Sequence, residues 1–251
     1  MSGHSKWANI KHTKGVADAR RGQLFTKITR EIIVAVRQGG SNPESNFRLR
    51  LAIQKARDNA MPLDNIDRAI RRASGDTAGA AMAEMTLEGY GPNGAAILVQ
   101  ALSDNRNRTL QEVRNIFWRH GGSLGEAGCV AWLFESKGLI LIAINNLNTE
   151  ELTLLAIDAG AEDVNVEEDH IEIYTKPEEF EAVRAALKRG NIPLASAELS
   201  MLPKTTIELE EKPALQTLKL LSKLEELDEV QLVSSNVNFS SSVLEKYQEQ
   251  D

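Results

Sequence analysis

The sequence predicts an α+β multidomain fold in which a basic three-helix domain is followed by strand and helix patterns that assemble into ferredoxin-like units. Three observations predict it. Charge is split along the chain: residues 1–75 hold fifteen Lys and Arg against six Asp and Glu, a balance of +9, and the whole-chain value of −7 leaves −16 for the rest. Apolar residues between 20 and 37 recur at helical spacing. From Leu139 onward the patterns run strand, helix, strand, strand, helix, strand, a complete ferredoxin-like βαββαβ order. At 251 residues the chain exceeds the usual single-domain size, so two or three domains are expected.

Residues 1–15 show no apolar periodicity beyond Trp7 and Ile10 and read as an arm that is mobile when unbound. His4, Lys6, Trp7, Lys11, His12 and Lys14 set one large ring among positive groups. Such a ring can stack on an exposed base while the lysines hold phosphates; packing of Trp7 onto the helical domain is the equal alternative. The first helix is expected from about Val16 to Gly39 and Gly40, where a glycine can take the left-handed cap. On it Leu24, Phe25, Ile28, Ile32 and Val36 form an apolar stripe, and Arg20, Lys27, Arg30 and Arg37, with Arg21 nearby, lie roughly opposite and are expected to be free. A second helix is expected from Asn42 as cap and Pro43 as first residue, a third from Asp64 to Gly75.

Basic residues continue through Arg48, Arg50, Lys55 and Arg57 and then Arg68, Arg71 and Arg72, with few nearby carboxylates. A charge stripe is in general a solvated helix face; the density of this one favours a phosphate-binding surface. The second and third helices have helix-turn-helix proportions, but their connection is longer than the usual three to four residues, which leaves major-groove reading open.

After a linker around 75–85, a strand, turn, strand, helix, glycine-rich loop and strand follow. Gly89 to Gly94 lacks the Gly-Lys-Ser/Thr ending of a phosphate loop and reads as a tight hairpin turn. Gly121, Gly122, Gly125 and Gly128 follow a helix where a dinucleotide fingerprint must follow a strand. Asn105, Arg106, Asn107 and Arg108 cluster before a helix expected to begin at Thr109, a setting that suits an anion as well as it suits simple capping by Asn107 or Thr109. Arg114, Arg119 and His120 extend its polar surface. In the first of two ferredoxin-like units, strands at 95–102, 129–135, 204–210 and 230–235 enclose helices at 109–120 and 213–228; the second runs from strand 139–144 to strand 194–202.

Several function classes recede. No apolar run approaches the ~20 residues needed to span a bilayer, and the basic N-terminus has no signal-peptide core, which points to the cytoplasm. Cys129 is the only cysteine, which excludes an internal disulfide, and it is expected in the core of an apolar strand. The acidic residues lack calcium-loop spacing, the four His residues lack ligand spacing, and no nucleophile stands at a convincing interval from a base. No metal, cofactor or catalytic residue is expected.

The segments "GHSKWANIKH", "RGQLFTK", "NAMPLDNIDRAIRR", "EGYGPNGAAILV", "DNRNRT", "HGGSLGEAG" and "VAWLFESKG" resemble the YebC/PmpR family and its mitochondrial translational-activator relatives. The resemblance is dense from about Gly3 to Gly138 and looser to about Phe239. Thr13 stands where a basic residue is common, Ala60 where Asn is usual, and Leu63 where Lys is frequent. The resemblance implies a helical domain over 1–78, an α+β domain over 79–137 plus 204–240, and an α+β domain inserted at 138–203. It further implies a nucleic-acid-binding regulator of gene expression, and the chain is expected to be non-enzymatic and monomeric. Bacterial members are conventionally DNA-binding transcriptional regulators, and an RNA- or ribosome-bound translation factor is the alternative.

Overall fold

A computed structural model of the chain describes residues 18–75, 82–144, 147–167 and 170–250. In chain order its elements are α1 (Asp18–Gly39), α2 (Phe47–Asp58), α3 (Leu63–Ser74), β1 (Ala83–Tyr90), β2 (Ala96–Ser103), α4 (Arg106–Arg119), β3 (Ser123–Leu124), β4 (Phe134–Ala143), α5 (Thr149–Asp158), β5 (Asp163–Val166), β6 (His170–Thr175), α6 (Phe180–Arg189), β7 (Ser196–Pro203), α7 (Glu211–Glu225), β8 (Val230–Ser235) and α8 (Ser241–Gln250). They make an α+β architecture of one helical unit and two four-stranded antiparallel sheets.

The apolar stripe of α1 closes the helical unit. Ile28, Ile32 and Val36 are buried against Leu49 and Ile53 of α2, Met61, and Ile66 of α3. The second helix starts later than expected. Asn42 and Pro43 form a turn in which the Asn42 side chain accepts from Glu44 N at 3.0 Å. Asn46 is the cap: its Oδ1 accepts from Leu49 N at 3.0 Å, and its Nδ2 donates to the carbonyls of Ala35 and Gly40 at 2.7 and 2.8 Å. One buried amide thus caps α2 and ties off the end of α1. The third helix starts at Leu63 after Pro62, so Asp64 lies in its first turn rather than capping it.

The first sheet has the order β3-β1-β2-β8. The expected hairpin forms, with Tyr90 opposite Ala96 and Gly91 N donating to Ala95 O at 2.7 Å. α4, α7 and α8 cover one face through Val113, Phe117, Leu218, Leu221 and Tyr247 over Val99, Ala101 and Val233. Gly89 admits this packing, because a Cβ there would stand 2.6 Å from the Ser123 carbonyl oxygen and 2.7 Å from the Phe117 ring.

The second sheet has the order β5-β6-β4-β7, the 4-1-3-2 arrangement of a ferredoxin-like unit, with α5 and α6 on one face. It lies in sequence between β3 and β8 of the first sheet. Two expected strands are corrected. Residues 204–210 contribute only one isolated bridge, Ile207 to Val237. Residues 129–133 form a loop and a single 3-10 turn, and β4 runs unbroken from Phe134, so the expected boundary at 138 falls inside a strand. The cause is Glu88 on β1. Its buried carboxylate accepts Gly128 N at 2.6 Å, Val130 N at 2.8 Å and Ala131 N at 2.7 Å, taking the backbone donors that a sheet ladder would have used. Cys129 accordingly sits half-buried in this loop, not in a strand.

Candidate nucleic-acid interface

The polar stripe of α1 is not free. Lys27 Nζ donates to the carbonyl of Glu225 at the end of α7 at 2.5 Å. Arg30 donates to the Leu102 carbonyl at 3.1 Å and to Glu229 Oε1 at 3.3 Å. Arg108 of α4 reaches the same Glu229 oxygen at 2.9 Å while pairing with Asp104 at 2.9 Å. The expectation of an outward cationic stripe is therefore corrected at Lys27 and Arg30. Both lie on the seam between α1 and the first sheet, with Glu229 as a junction for two guanidiniums. Gln23 adds a hydrogen bond to the Glu226 carbonyl on the same seam.

Other basic residues are also engaged. Arg48 pairs with Glu84 of β1 at 2.6 Å and donates to Gln38 at 2.5 Å, while Gln38 Nε2 donates to Glu84; the Arg48 bond first, then that of Gln38, holds the Glu84 carboxyl below its ordinary range against the effect of burial. Lys55 pairs with Glu31 at 2.9 Å, and the charge of Glu31, with help from Glu198 of β7, raises its pKa against the effect of burial. Arg50 donates to the carbonyls of Pro43 and Glu44 at 3.0 and 3.2 Å and lies over the Phe47 ring. Asp58 at the end of α2 pairs with Lys188 and Arg184 of α6 at 3.3 and 3.5 Å. The helical unit is thus wedged against both sheets by ion pairs.

What stays outward is a smaller set. Arg57, Arg68, Arg71 and Arg72 are exposed, and among the described residues the side chains of Arg57, Arg68 and Arg72 make no hydrogen bond or ion pair. Arg71 donates only to the Asp67 carbonyl within its own helix, at 3.3 Å. Asp64 and Asp67 share the outer face of α3 and moderate its charge. Arg21 and Arg37 are exposed toward the two ends of α1. Lys6, Trp7, Lys11 and Lys14 lie outside the described residues, as does the side chain of Arg20.

On α4 the helix begins at Arg106, earlier than expected. Asn105, not Asn107 or Thr109, is the cap, accepting from Arg108 N at 3.1 Å, and Thr109 is buried on Ser103 at 2.8 Å. Arg106, Arg114 and Arg119 are exposed and, among the described residues, their side chains make no hydrogen bond or ion pair. Sequence reasoning missed Trp118, which is 78% exposed on this helix. A helical wheel centred on Val113 and Phe117 would have placed it outward. It also missed the Glu229 junction, for which a lone acidic residue in sequence carries no signal.

The chain is thus an α+β protein in which a helical unit with exposed arginines packs against two antiparallel sheets. The chain belongs to the TACO1/YebC family: residues 5–76 match the model of the TACO1/YebC N-terminal domain, and residues 82–237 match that of the TACO1/YebC second and third domain. It is 60% identical over 250 residues to a probable transcriptional regulatory protein of Dehalococcoides mccartyi, covering 100% of both chains. A relative of the same description from Herpetosiphon aurantiacus is 51% identical over 251 residues, again covering 100% of both. The fold is similar to the crystal structure of a conserved hypothetical protein from Aquifex aeolicus, with a TM-score of 0.83 and 48% identity over 92% of this chain and 96% of that one.

Proposed function

We propose that the chain is a non-enzymatic, nucleic-acid-binding regulator of gene expression that acts in the cytoplasm without a cofactor. The observation that carries this reading is the charge separation as it is folded. The helical unit holds a balance of +9 in the first 75 residues. The side chains of Arg57, Arg68 and Arg72 of that unit remain unpaired among the described residues, although the unit of the first sheet supplies Glu84 and Glu229 to the cations that touch it. Cations left outward in a net-acidic protein suit a phosphate backbone. The relatives' description as probable transcriptional regulatory proteins supports regulation of transcription as the first role to test.

Duplex DNA and folded RNA make different demands. A DNA regulator gains free energy from base edges, and its cognate site exceeds random duplex by roughly a thousandfold or more at physiological salt. The candidate base readers on α3 are Asn65, Arg68, Arg71 and Arg72, on a helix of 12 residues that a monomer could set against only a few base pairs. A second reading, RNA as the target, is favoured by the exposed indole of Trp118. A selection from random duplexes in near-physiological salt tests the two: weak selectivity with steep salt dependence is expected, and convergence on one motif bound about a thousandfold better than scrambled DNA would establish sequence-specific DNA binding instead.

A further inference from the structure

α4 buries Thr109, Val113 and Phe117 and turns the opposite side to solvent. That outer side carries Asn107, Gln111, Asn115 and Trp118, with Arg114 along one edge and Arg108 and Arg119 along the other. A single exposed apolar residue needs no explanation by itself. The setting of this one does. Residues 76–251 hold fourteen Lys and Arg and thirty Asp and Glu, yet α4 takes four of those cations and one of those acids. The one acid, Glu112, is half-buried at the edge of the helix beside Arg108. Away from Arg108, which pairs with Asp104 and Glu229, the outer side of α4 itself therefore carries no acidic residue in the strip around Trp118.

The strip also continues the helical unit. Arg108 near the start of α4 and Arg30 of α1 hold the same Glu229 oxygen, so the two helices adjoin there. Trp118 lies ten residues further on, about 15 Å along a helix that rises ~1.5 Å per residue. Asn105 fixes the start of the helix, and Val113 and Phe117 lock its inner face into the core, so the indole is presented on a rigid element.

We propose that the outer face of α4 binds a single-stranded segment of RNA, with an unpaired base stacked on the Trp118 indole and the flanking phosphates held by Arg114 and Arg119. Asn115 and Gln111 stand on the same face, within reach of a base edge. A paired duplex keeps its bases stacked internally and offers no face to the ring, whereas unpaired bases splayed from folded RNA are the usual targets of aromatic platforms. The proposal rests on the nucleic-acid reading above and extends it to a second unit of the fold.

The test uses the full chain, a labelled 12-nucleotide unstructured RNA, single-stranded DNA of the same sequence and a 12-base-pair duplex, with affinities read by fluorescence anisotropy. Trp118→Ala is expected to weaken RNA binding about tenfold or more, while Trp118→Phe keeps it within about threefold because a ring remains to stack on. Duplex binding should not change, and Trp132→Ala, which removes an exposed indole off this face, should leave both affinities intact. Replacing Arg114 and Arg119 by Gln should weaken RNA binding and lower its salt slope by about one to two. Wild-type RNA affinity in Trp118→Ala, or an equal loss for RNA and duplex, would overturn the stacking site. Tighter binding of single-stranded DNA than of RNA would overturn the assignment to RNA. A wild-type chain that binds none of the three would instead overturn the nucleic-acid reading itself.

Discussion

Ala60 occupies a backbone conformation that costs it energy. Its φ of 54° lies in the left-handed region, at the residue just past the cap of α2, where Ala60 N donates to Arg57 O at 3.0 Å and Met61 N to Ala56 O at 2.9 Å. The same closure ends α4, with Gly121 at φ 76° and Gly122 N donating to Phe117 O at 2.8 Å. Glycine or asparagine takes this conformation with less strain than alanine, and Asn is the residue usual in the family at this position. Ala60→Asn and Ala60→Gly are therefore expected to raise stability by about 0.5–1 kcal/mol, read as a higher urea midpoint with an unchanged m-value. At Glu88 the direction is opposite. Burial pushes its carboxyl up, but the three donors of Gly128, Val130 and Ala131 together outweigh burial and hold it below the ordinary 4.5. A lowered folded-state pKa contributes stability that is complete above the unfolded value and is lost as pH falls through the folded one. Glu88→Gln replaces an acceptor with a donor facing N–H groups and should cost about 2–3 kcal/mol at pH 7. The gap between wild type and variant should narrow as pH drops below 4.5, and a gap that stays constant to pH 3 would show that the carboxylate charge plays no part.

Among the elements, α1 shows what periodicity can and cannot reveal. Its apolar stripe, the three-helix packing and the 89–94 hairpin were legible because each depends on residues close in sequence. The cap of α2 was misread because Asn42-Pro43 is the stronger local pattern, whereas Asn46 is chosen by two carbonyls of the preceding helix and loop. The 129–135 strand was misread because Glu88 acts from 40 residues away. Among the candidate site residues, Lys27, Arg30, Arg48 and Lys55 looked alike to Arg57 and Arg68 in sequence; only tertiary packing, which sets a carboxylate or carbonyl against each of the former, separates them. Glu229 is the most consequential of those partners, since it is buried and serves Arg30 and Arg108 together. Glu229→Ala is expected to cost about 2–4 kcal/mol and to increase hydrogen exchange along the seam between α1 and β2. If exchange rises only locally around β8, the junction does not hold the two units together.

At the scale of the molecule, charge is organised by unit and then trimmed at the seams. The units of the two sheets supply Glu84, Glu229 and Glu198, with the Glu225 carbonyl, to the basic helices, and the helices supply Asp58 to Lys188 and Arg184. These contacts position the helical unit while leaving a subset of arginines exposed. The central claim is that this remaining subset binds nucleic-acid phosphates. The most direct measurement is the affinity of the full chain for a nucleic-acid fragment as a function of salt, compared with a variant carrying Arg57, Arg68, Arg71 and Arg72 all as Ala. Each phosphate contact contributes about 0.7–0.9 to the slope of log affinity against log salt. The variant is expected to keep its helical circular dichroism, to bind far more weakly and to lose about three to four from the slope; a folded variant with unchanged affinity and slope would contradict the claim.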